Sequence, residues 1–213
     1  MHYEDFRREY TAGGLTREML NPDPLQQFEI WLEQSVKAGL EDPTAMVLAT
    51  IDKEGLPWQR IVLLKGMSQG GFVFYTNYGS NKAQAIAANP LVSLLFPWNE
   101  LDRQVIVRGR VEKMSVAESA SYFMTRPRES QIAAWASRQS RPVSARAMLE
   151  KQVSVLKEKF GKGEIPMPDF WGGYRVIPQP NRGAGSVRRR GEDLDRQSTR
   201  LHGLAAGAHS IAR

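Results

Sequence analysis

The spacing of apolar residues changes along the chain, and each spacing predicts a different kind of element. Leu25, Phe28, Trp31 and Leu32 recur three or four residues apart, which is the spacing of one face of a helix. Pro24 directly precedes them, and proline suits the first turn of a helix. We therefore predict a helix that begins at residue 24 and ends near residue 38.

Six shorter apolar segments, several of them bounded by turn residues, predict strands. They cover residues 45–51, 58–64, 71–76, 91–96, 104–111 and 170–176. A turn at residues 52–55 separates the first two, so we expect them to form a hairpin. Because the strands follow one another without regular alternation with helices, the pattern favours an antiparallel barrel or sheet over a Rossmann fold.

Polar residues mark the starts of further helices. Ser80 and Ser144 each precede a segment of helical character, and serine is a favoured residue at the N-cap. Ser115 and Glu118 have the spacing of a capping box, which predicts a helix directly after them. A short helix is also expected at residues 130–136.

The composition limits the class of protein. The chain has 213 residues, of which 41% are hydrophobic, and this suits one large domain or two small ones. It has no cysteine, which excludes disulfides, thiolate metal sites and cysteine nucleophiles. Its three histidines argue against a histidine-rich metal centre. With no long apolar run and no secretory pattern at the start, we expect a cytoplasmic protein without membrane contact.

The positive charge is concentrated in the last part of the chain. The net charge is +6, and residues 181–213 hold seven arginines against three acidic residues. This segment has no aromatic residue and can bury little apolar surface, so we expect a mobile tail. A basic surface for nucleic acid is therefore not expected on the rest of the chain, although contact of the arginine-rich tail with nucleic acid remains an alternative.

Two cations bracket an apolar strand, with Arg60 before residues 61–64 and Lys65 after them. A third cation, Lys82, follows the predicted cap Ser80. Apolar strand residues between fixed cations suit a ligand with a flat ring and an anionic tail, because a helix start and cations bind phosphate. The alternative is that the charges simply meet water at the two ends of a strand.

These residues belong to a longer series of strings that occur in a fixed order. The strings are Arg7-Arg8-Glu9-Tyr10, Asp42-Pro43-Thr44-Ala45-Met46, Arg60-Ile61-Val62-Leu63-Leu64-Lys65, Phe74-Tyr75-Thr76-Asn77, Leu94-Leu95-Phe96-Pro97-Trp98, Arg103-Gln104-Val105, Tyr122-Phe123, Arg126-Pro127-Arg128, Ser130-Gln131, Gln139-Ser140 and Trp171-Gly172-Gly173. In order and spacing, the chain from Arg7 to about Gln179 closely resembles the pyridoxamine (pyridoxine) 5′-phosphate oxidase family of flavin enzymes.

The resemblance implies a fold and an assembly. The fold would be a mainly β, FMN-binding split barrel: a six-stranded antiparallel Greek-key barrel with flanking helices (α+β). The assembly would be a homodimer with FMN at the subunit interface. Residues 1–22 would form an arm over the site, residues 23–180 the flavin-binding domain, and residues 181–213 an atypical tail.

The resemblance also implies which residues bind the ligands. The expected FMN contacts are Arg60, Ile61, Val62, Leu63, Leu64, Lys65, Tyr75, Thr76, Ser80, Lys82, Gln104, Gln139 and Ser140. The expected substrate contacts are Lys65, Tyr122, Arg126, Ser130, Arg7 and Tyr10. A continuous helix would place Tyr122, Arg126 and Ser130 on one face, but Pro127 predicts a break between them.

The implied reaction is the oxidation of pyridoxamine or pyridoxine 5′-phosphate to pyridoxal 5′-phosphate. The flavin takes a hydride from the substrate, and dioxygen then reoxidises the flavin and gives hydrogen peroxide. With the amine substrate the product imine is hydrolysed and releases ammonia. No separate catalytic residue is assigned, because the cofactor carries the chemistry and the protein supplies alignment and charge.

Two departures from the family pattern leave alternatives open. Asn81 stands where the family usually has a basic residue, and after Gln179 the chain lacks the family's Trp-containing strand. An Arg200-Leu201-His202 triplet does occur, but about ten positions later than the family's Arg-x-His string and without the Asp-Arg that follows it there, so we interpret it as a coincidence. One hypothesis is a frameshift, since residues 204–210 can be encoded so that the next frame reads Trp-Arg-Leu-Glu-Arg-Ile, which resembles the family ending. The alternatives are another split-barrel flavoprotein, such as a flavin reductase or specialised oxidase, or a weakly active protein that binds flavin or pyridoxal phosphate.

Overall fold

A computed structural model describes residues 16–136, 146–179 and 209–210 of the chain. Eight strands form one sheet: β1 (Ala45–Ile51), β2 (Pro57–Leu63), β3 (Gly66–Ser68), β4 (Gly71–Asn77), β5 (Leu91–Trp98), β6 (Arg103–Lys113), β7 (Trp171–Pro178) and β8 (His209–Ser210). Five helices flank the sheet: α1 (Pro24–Lys37), α2 (Asn81–Ala88), α3 (Val116–Thr125), α4 (Arg128–Ala136) and α5 (Arg146–Phe160). Two 3-10 turns, Arg17–Met19 and Asn99–Leu101, complete the described elements. None of the described helices combines the length and the apolar character needed to cross a membrane.

The sheet is antiparallel throughout, in the order β2-β1-β5-β6-β7-β4-β3, and β8 pairs with the free part of β6 at Val105 and Ile106. All six predicted strands are present, and the mainly β architecture with flanking helices is confirmed. The sequence analysis missed β3, a three-residue strand that pairs with the start of β4. It begins at Gly66, whose φ of 150° favours glycine, and a strand this short is too brief to show a period.

The main hydrophobic core lies between the sheet and α1. The ring of Phe28 on α1 packs at 4.9 Å from Phe72 and 4.8 Å from Phe96, measured between centroids. Trp98 is buried beside them, and its indole N–H donates to the carbonyl of Pro43 at 2.9 Å. This contact satisfies the one polar group that the indole brings into the core.

A second, smaller cluster packs α3, α4 and α5 against β7. Its buried members are Phe123, Ile132, Ala134, Ile165 and Trp171. The molecule therefore has a barrel side, built on the main core, and a helical side, built on this second cluster.

The predicted helix starts are confirmed where the structure describes them. The hydroxyl of Ser80 accepts a hydrogen bond from the backbone N–H of Ala83 at 3.4 Å, and so caps α2. Ser115 and Glu118 form the predicted capping box of α3, while Ser144 lies outside the described residues. Glu118 also pairs with Arg175 of β7 at 2.6 Å, which ties the start of α3 to the sheet.

Candidate active site

The candidate site has one part on each face of the sheet, and two neighbouring residues of β4 contribute to the two parts. Successive side chains of a strand point to opposite faces, so Tyr75 and Thr76 face opposite ways. Thr76 is buried on the core face, and its hydroxyl accepts from the Nζ of Lys82 at 3.4 Å. Tyr75 is half-buried on the other face, where it meets aromatic residues of α3 and β7.

On the core face, Arg60 and Lys82 form what we call the basic pair. Arg60 lies on β2 opposite Leu48 of β1, so the strand register fixes the direction of its side chain. Its Nη1 donates to the carbonyl of Leu48 at 3.1 Å and to the hydroxyl of Thr50 at 2.7 Å. A third bond, also of 3.1 Å, reaches the carbonyl of Trp58. All three acceptors are neutral oxygens, so these contacts leave the charge of Arg60 uncompensated.

Burial affects both cations of the basic pair, and the charge of Arg60 also acts on Lys82. Burial lowers the pKa of the Arg60 guanidinium. Burial also lowers the pKa of the Lys82 ammonium, and the nearby charge of Arg60 lowers it further. Two partly desolvated cations whose charges repel are stabilised when an anion binds to both. The basic pair therefore suits a phosphate.

The start of α2 adds to this positive region. Lys82 lies in the first turn of the helix, and the N-terminal end of a helix carries a partial positive charge. Ser80, which the sequence predicted to contact the cofactor, is fully buried and caps the helix. The neighbouring turn is held by the side chain of Asn77, whose oxygen accepts from the N–H of Gly79 at 2.7 Å.

On the opposite face, Tyr75, Tyr122 and Trp171 form what we call the aromatic stack. The rings of Tyr75 and Tyr122 lie 3.9 Å apart at an angle of 11°. The ring of Trp171 lies 5.2 Å from Tyr75 at an angle of 9°. Burial raises the pKa of both tyrosine hydroxyls, so both remain protonated donors at neutral pH.

The glycine after Trp171-Gly172 makes room for this stack. A Cβ atom on Gly173 would lie 2.9 Å from Cε1 of Tyr75 and 2.5 Å from the sulfur of Met114. Both separations are shorter than van der Waals contact, so any larger residue must push the Tyr75 ring away. Packing beneath the aromatic rings thus explains Gly173, whereas a Cβ atom on Gly172 would collide with the Tyr78 side chain.

Arg126 lies against the aromatic stack at the end of α3. Its guanidinium carbon is 4.7 Å from the centre of the Trp171 ring, which is the distance of a cation–π contact. Its Nη1 is buried and makes no hydrogen bond within the described part of the chain. Burial lowers the pKa of Arg126, yet a guanidinium stays charged at neutral pH. A buried, charged and unsatisfied donor is costly in isolation and is well matched to an anion.

The break expected at Pro127 is present. Arg126 has an extended backbone, with φ −72° and ψ 146°, and α4 begins only at Arg128. Ser130 therefore does not continue the face of α3 and instead lies half-buried in the first turn of α4. Its backbone N–H donates to the carbonyl of Pro127 at 2.8 Å.

The remaining predicted residues are dispersed. Lys65 is exposed directly after β2, and Gln104 is half-buried in β6, where it pairs with Pro97. Ile61 points away from the core, whereas Leu64 is buried in it. Across residues 16–136 and 152–179, no hydrogen bond or ring contact joins the side chains of Lys65, Gln104 or Ser130 to the aromatic stack or to Arg126. Arg7, Tyr10, Gln139 and Ser140 lie outside the described residues.

Three residues that shape the site were missed from the sequence as site residues. Thr50 binds the guanidinium of Arg60, Trp171 supports Arg126, and Gln131 bonds the main chain around Arg126. The register of the first hairpin is a signal for Thr50, because position 50 lies diagonally across from position 60. For the other two, the partners are far apart in sequence or separated by a helix break.

Known proteins resemble this chain over most of its length. Residues 32–160 match the family model described as pyridoxamine 5′-phosphate oxidase. A pyridoxine/pyridoxamine 5′-phosphate oxidase from Teredinibacter turnerae is 60% identical over 179 residues, or 84% of this chain and 85% of that protein. One from Vibrio parahaemolyticus is 58% identical over the same shares of both chains. These relatives confirm the resemblance that the sequence strings indicated.

Solved structures share the fold at low sequence identity. The crystal structure of PhzG from Burkholderia lata 383, in complex with tetrahydrophenazine-1-carboxylic acid, has a TM-score of 0.74 and 22% identity. The match covers 79% of this chain and 84% of that one. An FMN-binding protein from Nostoc punctiforme, related to pyridoxamine 5′-phosphate oxidase, has a TM-score of 0.60 at 13% identity, over 73% and 81% of the two chains. At such identities the likeness supports the fold alone.

Proposed function

The chain belongs to the pyridoxamine 5′-phosphate oxidase family, and on that premise we propose that it oxidises pyridoxamine and pyridoxine 5′-phosphate to pyridoxal 5′-phosphate. The observation that carries the proposal is Arg126. Its buried Nη1 lacks a partner, and its guanidinium lies against aromatic rings that suit a flat, phosphorylated substrate.

The proposed cofactor is FMN, and the basic pair would hold its phosphate. Arg60 and Lys82 supply two positive charges, and the hydroxyl of Thr76 lies at the same place. Bound FMN would supply the electron acceptor of the oxidation, with dioxygen as the final acceptor and hydrogen peroxide as its product. Asn81 is exposed beside Lys82, so it adds no charge where the family usually has a basic residue.

The proposed substrate phosphate site is centred on Arg126. A phosphate monoester carries nearly two negative charges at neutral pH, so one cation is seldom sufficient. Arg126 can bind it as a fork, Tyr122 can donate from its hydroxyl, and we assign Lys65 and Ser130 as the further donors. Arg7 and Tyr10 would complete the site from the N-terminal arm at residues 1–22.

The protein's part in the reaction is to bind and orient, because the family chemistry needs no nucleophile from the chain. Oxidation removes a hydride, which is two electrons and a proton, from the carbon that bears the amine or hydroxyl group, and a second proton from that group itself. With the amine, hydrolysis of the resulting imine gives the aldehyde and ammonia. The assigned residues bind the phosphate and thereby hold this carbon of the substrate in a single position.

We also propose a homodimer, formed through the outer face of the sheet. Ile61 pairs with Val47, and Val47 pairs with Leu95, so alternate residues of β2, β1 and β5 share the face opposite the core. This face exposes large apolar side chains, among them Ile61 at 72% and Leu91 at 42%. An apolar patch on adjacent strands is typical of a protein interface, and a second copy of the chain would cover it.

The decisive experiment uses the purified full-length chain. We expect a yellow protein whose flavin spectrum survives desalting, and hydrogen peroxide production when pyridoxamine 5′-phosphate is added under air. A preparation that stays colourless in excess FMN would overturn the cofactor assignment. Bound flavin without peroxide from either vitamer would favour the alternative of a flavin-binding protein or a different oxidase.

A further inference from the structure

Gln131 lies at the corner between α3 and α4 and is only 7% exposed. We propose that Gln131 is a positioning residue for the substrate phosphate, because its amide fixes the backbone that aims Arg126. This inference rests on the proposed role of Arg126 in phosphate binding. Gln131 itself does not need to touch the substrate.

The contacts of the Gln131 amide are all with main-chain carbonyls at the end of α3. Its Nε2 donates to the carbonyl of Phe123 at 3.1 Å and to that of Arg126 at 3.1 Å. A longer contact of 3.4 Å reaches the carbonyl of Met124. The side chain of Gln131, on α4, thus holds the last turn of α3 and the first residue beyond it.

The sequence of the corner explains why such a donor is needed. The last carbonyls of a helix have no partner within the helix. Here Arg126 leaves the helix with an extended backbone, and Pro127 follows without an N–H to offer. The backbone N–H of Arg126 donates to the carbonyl of Phe123 at 3.2 Å, and the hydroxyl of Thr125 donates to the carbonyl of Tyr122 at 2.8 Å. The Gln131 amide adds the donor that reaches the carbonyl of Arg126 itself, just beyond the helix.

The guanidinium of Arg126 has few other supports. It lies 4.7 Å from the Trp171 ring and 5.7 Å from the Phe123 ring, and both contacts restrain distance more than direction. Its buried Nη1 has no hydrogen-bond partner in the described residues that could restrain it. The orientation of the fork therefore depends strongly on the backbone at residue 126. Small displacements of a binding group are known to weaken binding disproportionately.

A purely structural role for Gln131 makes a different prediction. A buried amide that only stabilises the corner would lower the melting temperature when replaced, with no selective loss of phosphate affinity. A positioning role predicts weaker binding of phosphate at an unchanged affinity for FMN. The two roles are therefore separated by binding constants and not by stability.

The test replaces Gln131 by methionine, which keeps the length and removes the donors. Gln27 provides the matched control, because it is 5% exposed and its side-chain oxygen accepts from the N–H of Asn21 at 2.6 Å, on the barrel side. For Gln131→Met we expect KM for pyridoxine 5′-phosphate and the inhibition constant of inorganic phosphate to rise about tenfold, equivalent to roughly one lost hydrogen bond. We expect kcat and the dissociation constant of FMN to stay within about twofold, and Gln27→Met to change none of these constants.

A double-mutant cycle with Arg126→Gln decides whether Gln131 acts through Arg126. If it does, adding Gln131→Met to Arg126→Gln produces no further loss of phosphate affinity. Additive losses would overturn the inference, as would an unchanged phosphate constant in the single variant or an equal effect of Gln27→Met. Should the methionine variant not fold, Gln131→Asn, whose amide is one methylene shorter, enters the same comparison.

The affinity for inorganic phosphate is also measured by direct titration, followed through tryptophan fluorescence. If the wild-type protein oxidises neither vitamer, the proposed function fails, but this titration still compares the wild type with Gln131→Met. The opposite result is also informative. If the wild type oxidises pyridoxine 5′-phosphate but Gln131→Met keeps the wild-type phosphate affinity, the proposed function stands and the positioning role is rejected.

Discussion

The two arginines at the centre of the candidate site are held in opposite ways. On the barrel side, Arg60 donates to three oxygens of its own sheet, at 2.7 to 3.1 Å. On the helical side, Arg126 contacts aromatic faces and keeps a buried Nη1 without a partner. The first arginine has its hydrogen bonds before any ligand arrives. The second lacks one, so an anion is the partner that would complete it.

The difference shows that two arginines of one site can have opposite effects on the stability of the fold. The side chain of Arg60 bridges β1 and β2, so the hairpin gains hydrogen bonds from it. Arg126 brings an unmet donor into a partly buried place, which is unfavourable for the fold by itself. We therefore expect substitutions on the barrel side to affect both stability and cofactor retention, and substitution of Arg126 to affect mainly substrate binding.

The largest effect is expected from Arg126→Gln. Loss of a charged donor to phosphate should lower kcat/KM for pyridoxine 5′-phosphate about 100-fold, or roughly 3 kcal/mol, with FMN retention unchanged. The matched control is Arg128→Gln, because Arg128 donates to the carbonyls of Gly161 and Gly163 and so holds the end of α5. That control should lower the melting temperature and leave KM near the wild-type value. Similar KM values for the two variants would contradict a specific role of Arg126 in substrate binding.

Gly173→Ala tests the aromatic stack. The added Cβ would lie 2.9 Å from the Tyr75 ring and 2.5 Å from the Met114 sulfur, and overpacking of this kind costs about 1–3 kcal/mol. We expect a lower melting temperature and a raised KM for substrate, since the rings beside Arg126 must shift. In the control Gly163→Ala, the nearest atom is 3.4 Å away, so little change is expected. A wild-type KM in Gly173→Ala would show that the aromatic stack does not contribute to substrate binding.

Lys82→Met tests the basic pair. Removing one of the two charges should raise the dissociation constant of FMN about tenfold, or roughly 1.4 kcal/mol, and leave KM for substrate unchanged at saturating FMN. Flavin released on dialysis and a titration with FMN give the measurement. Lys53→Met is the control, because the side chain of Lys53 is 82% exposed and pairs with Glu54 at the surface. Unchanged FMN affinity in Lys82→Met would show that the cofactor phosphate does not bind at the basic pair.

The smallest effect is expected from Glu118→Gln, and it depends on pH. Hydrogen bonds from Ser115, and then from Arg175, lower the pKa of Glu118 to about 2. Since the folded pKa lies below the unfolded value of about 4.3, the stabilisation is present above that pH and is lost as the pH falls toward 2. The variant should therefore show a flatter decline of melting temperature across this range. Glu129→Gln, at a 72% exposed position, should keep the wild-type slope, and equal slopes in all three proteins would contradict the expectation.

Local patterns predicted most of the fold. Strand β1 has the predicted bounds, Ser80 caps α2, and Ser115 with Glu118 forms the capping box. Each of these features depends on residues close in sequence, whose propensities act without tertiary help. Strand β3 was missed because it has only three residues and is held by pairing with β4.

The site was predicted less completely, because its contacts join distant segments. The approach of Trp171 to Arg126 spans 45 positions of the sequence, and no spacing rule connects them. The Gln131 amide meets the end of α3 only because Pro127 turns the chain between them. The site residues carried over from the family resemblance remain a proposal, whereas membership of the family itself is confirmed.

The alternation of Tyr75 and Thr76 has a consequence for how this chain can vary. One residue faces the aromatic stack and the next faces the basic pair, so both halves of the site depend on the same pleat. Deleting or inserting a single residue upstream in β4 would turn each side chain to the wrong side of the sheet. Changes of length in this segment should therefore remove cofactor and substrate recognition together, while point substitutions can alter one and spare the other.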